Sequence, residues 1–114
     1  MMRVSPADGI LRLPLQEVPQ LVRPGGYLRV QPEGNANPVY VVAVEEGEYV
    51  ALSPICTHLG CTVDIESNRL VCPCHGSTYD RTGEVLRGPA ERALTRYPTT
   101  VVDDELIIRL EGQG

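Results

Sequence analysis

The sequence predicts an all-β fold, and two observations carry that expectation. Candidate strands recur about every 8–12 residues, with turn residues between them. Eleven glycines and ten prolines in 114 residues favour turns and short strands over long helices. As a separate point, no apolar run approaches the roughly 18 residues that a membrane-spanning helix needs. At this length we expect one domain that covers residues 1–114.

The first third of the chain predicts two strands separated by a proline-rich loop. Residues 1–8 carry no strand pattern and are expected to be a loose end. The first strand is expected from Gly9 to Leu15, and the second from Tyr27 to Gln31 after the turn signal Pro24-Gly25-Gly26. Residues 16–24 have room for one helical turn between these strands. Its inner face would consist of Leu15, Val18, Leu21 and Val22.

The rest of the chain predicts a series of hairpins. Residues 39–44 are rich in β-branched side chains and are typical of a buried strand. A second hairpin has a short turn, so it should bring Cys61 and Cys72 close together in space. Gly88-Pro89-Ala90 begins a further loop. The expected strands are 39–44 with 49–52, 62–65 with 69–71, 78–80 with 84–86, and 99–102 with 105–110.

Composition and charge exclude some classes of function. A net charge of −5 argues against nucleic-acid binding, which requires a basic face, and is compatible with docking to a basic partner. The first residues, Met1-Met2-Arg3 followed by Ser-Pro-Ala-Asp-Gly, do not resemble a signal peptide. We therefore expect a chain that is soluble as given and carries no membrane span. It would be cytoplasmic or, where an anchor or signal has been removed, on the outer face of a membrane.

All four cysteines and both histidines lie in two short boxes between residues 56 and 75. Cys56-x-His58 and Cys72-x-x-His75 together offer two thiolates and two imidazoles. A 2Fe–2S cluster with two histidine ligands on one iron requires this set. A structural zinc site could use the same side chains, but it would leave two of the four cysteines without a clear purpose.

The two boxes resemble the cluster-binding loops of the Rieske iron–sulfur family, found in cytochrome bc-type complexes and in soluble relatives. The matching motifs are Cys-Thr-His-Leu-Gly-Cys and Cys-Pro-Cys-His-Gly-Ser, and the resemblance extends from about Tyr49 to Leu110. It implies an antiparallel β-sandwich with a small cluster-binding sub-domain at about 53–90. It also implies one 2Fe–2S cluster with Cys56 and Cys72 on one iron, His58 and His75 on the other, and a disulfide between Cys61 and Cys74.

The same resemblance assigns supporting roles around the cluster. Ser77 and Tyr79 match hydroxyl groups that donate hydrogen bonds to a bridging sulfide and to a ligand cysteine. Gly60 and Gly76 are expected at close backbone approaches or positive φ. Leu59 would shield the cluster, and Pro89 would begin a third loop that covers it. The continuation Glu91-Arg92-Ala93-Leu94 lacks the further prolines often found there.

The expected function is one-electron transfer through a Rieske cluster, by a soluble carrier or a subunit rather than a self-contained enzyme. Two neutral imidazoles in place of thiolates raise the potential to about −150 to +300 mV, against about −400 mV for plant-type ferredoxins. The expected partners are redox proteins such as a cytochrome, an oxygenase or an oxidase subunit, with quinol as a further candidate. The alternatives are a ferredoxin that feeds an oxygenase and, more remotely, the zinc module.

Overall fold

Short β-strands are the main regular secondary structure of the described residues, so the all-β prediction is confirmed. The computed structural model describes residues 2–35, 37–45, 47–57, 60–66, 69–74 and 76–110. Within these ranges, no helix has the length and apolar composition needed to cross a membrane. The strands are β1 (Met2–Val4), β2 (Ile10–Pro14), β3 (Tyr27–Pro32), β4 (Val39–Glu45), β5 (Glu48–Leu52), β6 (Asp64–Glu66), β7 (Arg69–Val71), β8 (Thr78–Asp80), β9 (Val85–Arg87), β10 (Arg96–Tyr97), β11 (Thr99–Val102) and β12 (Glu105–Arg109).

These strands form three sheets. The first sheet has the order β1-β3-β4-β5-β10, the second β11-β12-β2, and the third β6-β7-β8-β9. All neighbouring strands are antiparallel except β1 and β3, which pair in parallel. The first box precedes the third sheet, and the second box connects β7 to β8 within it.

Strand β4 is buried along nearly its whole length because both faces of the first sheet are covered. On one face, Val39 and Val41 join a core cluster with Leu11 of β2 and Leu106 of β12. On the other face, Tyr40 joins a second cluster that includes both Cys56 and Cys72. The Tyr40 hydroxyl donates a hydrogen bond to the Val63 carbonyl at 3.1 Å, which ties the first sheet to the chain that enters β6. This explains the continuous apolar run that predicted a buried strand.

Two short strands that the sequence did not reveal lie at the edges of the first sheet. Residues 1–8 were expected to be loose, but β1 pairs with β3, with Met2 opposite Val30. Strand β10 pairs with β5, with Arg96 opposite Leu52. Two or three residues are too few to show a period of two, and their partners are distant in sequence. Only the assembled sheet therefore defines these strands.

The predicted helical turn is present as two single turns of 3-10 helix, Leu15–Glu17 and Pro19–Leu21. Val18 and Leu21 face the core as expected. The assignment of Val22 to this face is wrong, since its side chain is 66% exposed. A 3-10 helix has three residues per turn, so Val18 and Leu21 coincide and the residue after Leu21 points away.

Several strand boundaries differ from the prediction by one or two residues, and hydrogen bonds explain two of these differences. Strand β6 begins at Asp64 rather than at residue 62, because Thr62 instead forms an isolated bridge with Ile55. Strand β9 covers 85–87 rather than 84–86, because the Glu84 carbonyl accepts the Asp80 N–H and closes the preceding turn. The predicted turns at 45–48 and 66–68 include residues 46, 67 and 68, which lie outside the described ranges.

The turn between β8 and β9 depends on the carboxylate of Asp80. Its Oδ1 accepts hydrogen bonds from the Thr82 N–H at 2.8 Å, the Thr82 hydroxyl at 2.6 Å and the Glu84 N–H at 3.1 Å. Burial raises the pKa of Asp80, but hydrogen bonds from Thr82, Glu84 and Gly83 outweigh it and lower the pKa below 3.8. Asp80 directly follows Tyr79, so this turn fixes the end of the strand that carries the Tyr79 phenol.

Replacing Asp80 by Ala removes the acceptor of three hydrogen bonds, and we expect it to lower the free energy of unfolding by about 1–3 kcal/mol at neutral pH. The folded-state pKa lies below the unfolded value near 3.8. The charge-dependent stabilisation is therefore fully present above the unfolded value and is lost as pH falls through the folded value. Asp80→Asn is the matched control, because it keeps an acceptor oxygen without the charge. Urea midpoints across a pH series test this. A gap between wild type and Asp80→Asn that persists at the acid end would contradict it.

Candidate metal centre

The first box folds into a loop that closes on its own leading cysteine. The Cys56 N–H donates to the Cys61 carbonyl at 2.7 Å, and the Gly60 N–H donates to the Cys56 carbonyl at 3.0 Å. Gly60 has a φ of 78°, a conformation that side-chain-bearing residues rarely adopt. The positive φ expected here is therefore present, and it lets the loop return over Cys56.

The second box repeats this backbone arrangement. The Cys72 N–H donates to the Ser77 carbonyl at 2.8 Å, and the Gly76 N–H donates to the Cys72 carbonyl at 2.9 Å. Gly76 also has a φ of 78°. In each loop a cysteine is followed by a glycine four residues later, and the next residue closes the ring. Two loops of the same length thus hold their leading cysteines with the same pair of backbone hydrogen bonds.

A disulfide joins the two loops. Cys61 and Cys74 are bonded to one another, which confirms the predicted pairing. The Sγ atoms of Cys61, Cys72 and Cys74 lie within 4.8 Å of one another, so the bridge lies against a predicted ligand. Because two of these three sulfurs are in the disulfide, they do not form a thiolate site of their own. Cys56 and Cys72 are not part of a disulfide. Both residues are buried, with exposed fractions of 3% and 1%.

The phenol of Tyr79 is fully buried beside the first loop. Its Oη lies 3.3 Å from Cys56 Sγ, accepts the Thr57 N–H at 3.3 Å, and lies 3.2 Å from Thr57 Oγ1. Burial raises the pKa of Tyr79 above 10.0 and the hydrogen bond with Cys56 raises it further, while the Thr57 contacts lower it by less. The phenol is therefore neutral at physiological pH and has one proton to donate.

Ser77 is fully buried beside the second loop. Its Oγ accepts a hydrogen bond from the Ala90 N–H at 3.1 Å. A hydroxyl also carries one proton of its own. Among the residues that the structure describes, no acceptor for the Ser77 proton is present. The proton is therefore available to an acceptor other than the residues that the structure describes.

A third loop, residues 88–95, is hydrogen-bonded to both of the others. The Ala90 N–H reaches Ser77 in the second loop, and the Arg92 carbonyl accepts the Thr57 hydroxyl of the first loop at 2.6 Å. The Leu94 N–H donates to the Gly83 carbonyl at 2.8 Å. These contacts fall on alternate residues. They hold the loop in place although it lacks the further prolines common in the Rieske family.

The surface beside Thr57 is a shallow cleft of about 380 Å³ that Pro89 lines together with Glu91 and Arg92. A larger open cleft, about 880 Å³, is elsewhere on the chain and is lined by Glu17, Val18, Gln20, Gly25, Gly26, Tyr27, Leu28 and Arg29. It contains none of the predicted site residues. Cavity size alone would therefore have pointed to the wrong part of the surface.

The structure brings together the predicted site residues that lie within its described ranges. Three further predicted site residues lie outside these ranges. His58, Leu59 and His75 are in this group, so their roles stay predictions. Thr57 was missed as a functional residue, although it lies between the predicted ligands Cys56 and His58. Its hydrogen bonds run to Tyr79 and Arg92, which are 22 and 35 residues away, so no local pattern could have revealed them.

The arrangement of donors fits an iron–sulfur cluster. Two buried thiols in matching loops can act as thiolate ligands. A buried phenol lies at one of these sulfurs, and a buried serine proton has no acceptor among the described residues. Cluster sulfides and thiolate sulfurs are anionic hydrogen-bond acceptors, so they would satisfy both hydroxyls.

Comparison with known proteins identifies the same family. The model of the Rieske [2Fe-2S] domain matches residues 13–98. The cytochrome b6-f complex iron-sulfur subunit of Synechococcus elongatus is 42% identical over 76 residues, covering 63% of this chain and 42% of the subunit. The corresponding Cyanothece subunit is 45% identical over 75 residues, covering 61% and 41%. The chain thus spans about two fifths of the length of these curated relatives.

Solved structures agree with this result. The plasma membrane Rieske protein PetC3 from Synechocystis PCC 6803 is 39% identical, with a TM-score of 0.63, covering 73% of this chain and 85% of that one. A chain in the complex of oxygenase and ferredoxin of carbazole 1,9a-dioxygenase is 22% identical, with a TM-score of 0.68 and coverage of 92% and 96%, and shows the fold alone. The chain belongs to the Rieske [2Fe–2S] family, and the cofactor of this domain is a 2Fe–2S cluster.

Proposed function

We propose that Cys56 and Cys72 bind one iron of the cluster and that His58 and His75 bind the other. The matching pairs of backbone hydrogen bonds, by which each loop closes on its leading cysteine, support the cysteine half of this set. The cluster supplies a site that accepts and releases one electron at a time. The chain's own residues hold it in place, exclude water from its cysteine side, and orient protons toward its sulfurs. We further propose that residues 1–114 form one domain, with the cluster-binding part at about 53–90.

The chain is a high-potential member of the family, and one contact carries this conclusion. The Tyr79 phenol lies 3.3 Å from Cys56 Sγ in a fully buried position. A hydrogen bond to a ligand sulfur is stronger when the cluster carries the extra electron, so it stabilises the reduced state. Ser77 adds a second proton that a bridging sulfide can accept. Both donors raise the potential within the Rieske range.

The most fitting place for such a carrier is a quinol-oxidising electron-transfer chain. The b6-f iron-sulfur subunits, at 42–45% identity, support this assignment. The partners would be quinol on the donor side and a cytochrome on the acceptor side. A disulfide favours an oxidising compartment, so the outer face of a membrane is the proposed location, and Glu91 and Arg92 beside the exposed Pro89 would meet the partner.

A ferredoxin that supplies an oxygenase is the second candidate. The 92% coverage by the carbazole dioxygenase chain supports the shared fold but, at 22% identity, no shared partner. The Cys61–Cys74 disulfide and the buried phenol at Cys56 favour the first assignment, because both are features of the high-potential branch that the motifs resemble.

Replacing Cys56, His58, Cys72 or His75 singly by Ala should abolish the cluster. Purified wild type should contain about two irons and two acid-labile sulfides per chain. Iron and sulfide assays, with electron paramagnetic resonance of the reduced protein, measure this. Cys61→Ser is the matched control, because it removes a sulfur of the same loop that is not a ligand and should keep part of the iron. Full iron occupancy in His58→Ala or His75→Ala would contradict the ligand set.

Removing the disulfide should loosen the two loops without removing a ligand. The bridge spans 13 positions in sequence, and the chain-entropy model gives it about 3 kcal/mol. We expect Cys61→Ser and Cys74→Ser to lose the cluster at a lower temperature than wild type, followed by visible absorbance. The double variant should behave as each single one does, since both remove the same bond. Additive losses would show that the sulfurs act separately.

The two hydroxyls should each raise the reduction potential. A charge-assisted hydrogen bond contributes roughly 1.5–3 kcal/mol, and a difference between redox states of about 1–2 kcal/mol corresponds to roughly 40–90 mV. Tyr79→Phe and Ser77→Ala should each lower the potential by this amount, as measured by protein-film voltammetry. Tyr97→Phe is the control, because Tyr97 packs against the other core cluster. A potential at the bottom of the Rieske range, unmoved by either substitution, would favour the oxygenase ferredoxin.

A further inference from the structure

The hydroxyl of Thr57 has a single proton, and the structure shows where it goes. Thr57 Oγ1 lies 2.6 Å from the Arg92 carbonyl oxygen and 3.2 Å from Tyr79 Oη. A carbonyl can only accept, so the short contact requires the threonine to donate to it. Thr57 therefore presents only lone pairs to the phenol of Tyr79.

The phenol in turn has one proton and two acceptors within reach. Cys56 Sγ is 3.3 Å from Tyr79 Oη, and Thr57 Oγ1 is 3.2 Å from it on the same loop. The Thr57 backbone N–H donates to the phenol oxygen, which fixes the oxygen between these acceptors. The hydroxyl proton of Tyr79 can therefore be donated either to Cys56 Sγ, which binds iron in the proposed site, or to Thr57 Oγ1, which does not.

We propose that Thr57 is a positioning residue that limits the hydrogen bond from Tyr79 to Cys56 Sγ and so holds the reduction potential below the value that the phenol could give. The hydroxyl is held in this acceptor role by Arg92, a residue of the third loop. The third loop thereby acts on the cluster through Thr57. This inference rests on the proposed roles of Cys56 as a ligand and Tyr79 as a donor to it.

A purely structural role makes the opposite prediction. If Thr57 only ties the first loop to residues 88–95, its removal should loosen both loops and admit water near Cys56. Such loosening would act whether or not residue 79 carries a hydroxyl. The competing-acceptor role, in contrast, requires the phenol to be present. The sign of the change and its dependence on Tyr79 therefore separate the two roles.

The test is a double-mutant cycle with Thr57 and Tyr79, measured by protein-film voltammetry on the cluster-loaded protein. Thr57→Val has nearly the shape of threonine but lacks the oxygen, and Thr57→Ser is the matched control that keeps it. With Tyr79 present, we expect Thr57→Val to increase the equilibrium constant for reduction about twofold to fivefold, roughly 20–40 mV for a one-electron couple. In the Tyr79→Phe background the increase should be absent. Thr57→Ser should remain near wild type in both backgrounds.

Resonance Raman spectroscopy gives a second readout. A stronger hydrogen bond from the phenol weakens the bond between iron and Cys56 Sγ, so Thr57→Val should lower an iron–sulfur stretching frequency only when Tyr79 is present. Thr57→Ala supplies the same comparison where the valine variant fails to assemble the cluster. An unchanged potential in Thr57→Val, or the same decrease in both backgrounds, would overturn the proposal. Failure of the underlying assignment is distinguishable, because Tyr79→Phe alone would then leave the potential unchanged.

Discussion

The disulfide between Cys61 and Cys74 is the constraint on which the site depends. Cys56 and Cys72 lie in separate loops, and a cluster that joins them requires both loops at a fixed distance. The β6–β7 hairpin sets this distance at the base of the loops, and the disulfide sets it at their ends. The sulfurs of the bridge lie within 4.8 Å of the Cys72 sulfur, so any movement of the bridge would disturb a predicted ligand. A small core without phenylalanine or tryptophan benefits from such a covalent link.

The remaining organisation of the site is a chain of hydroxyl groups. Tyr79 reaches Cys56, Thr57 reaches both Tyr79 and the third loop, and Ser77 accepts from the third loop. Each hydroxyl has one proton. A neighbour that accepts this proton leaves the hydroxyl only lone pairs for its other neighbours, whereas a neighbour that donates to the hydroxyl leaves the proton for another acceptor. The side chains of Ser77 and Tyr79 are fully buried, so water competes with their hydrogen bonds weakly, and small changes in their partners should affect the cluster strongly.

The third loop shows how this chain departs from the family pattern without losing its order. Glu91 and Arg92 follow Pro89 where further prolines are common in the family. Prolines would restrict the backbone directly, whereas here hydrogen bonds at Ala90, Arg92 and Leu94 do so. Because Glu91 and Arg92 stand in place of prolines, two charged side chains are exposed at the cleft beside Thr57. Among residues 53–63, 72–79 and 88–95 they are the only Asp, Glu, Arg or Lys side chains, so they set the fixed charge of this surface.

The sequence by itself determined the family, the cofactor and the all-β class. The family and the cofactor follow from the cysteines and histidines, because metal ligands that are confined to two short boxes indicate a metal site. The fold class follows from the short strands and frequent turns that repeat along the chain. It also predicted the disulfide, through the resemblance, and the positive φ of Gly60 and Gly76. Only the tertiary structure decided which edges β1 and β10 complete, that Val22 faces solvent, and that Thr57 lies between Tyr79 and Arg92. These features depend on contacts between residues far apart in sequence, and no local periodicity encodes which distant partner a short strand or a single hydroxyl will meet.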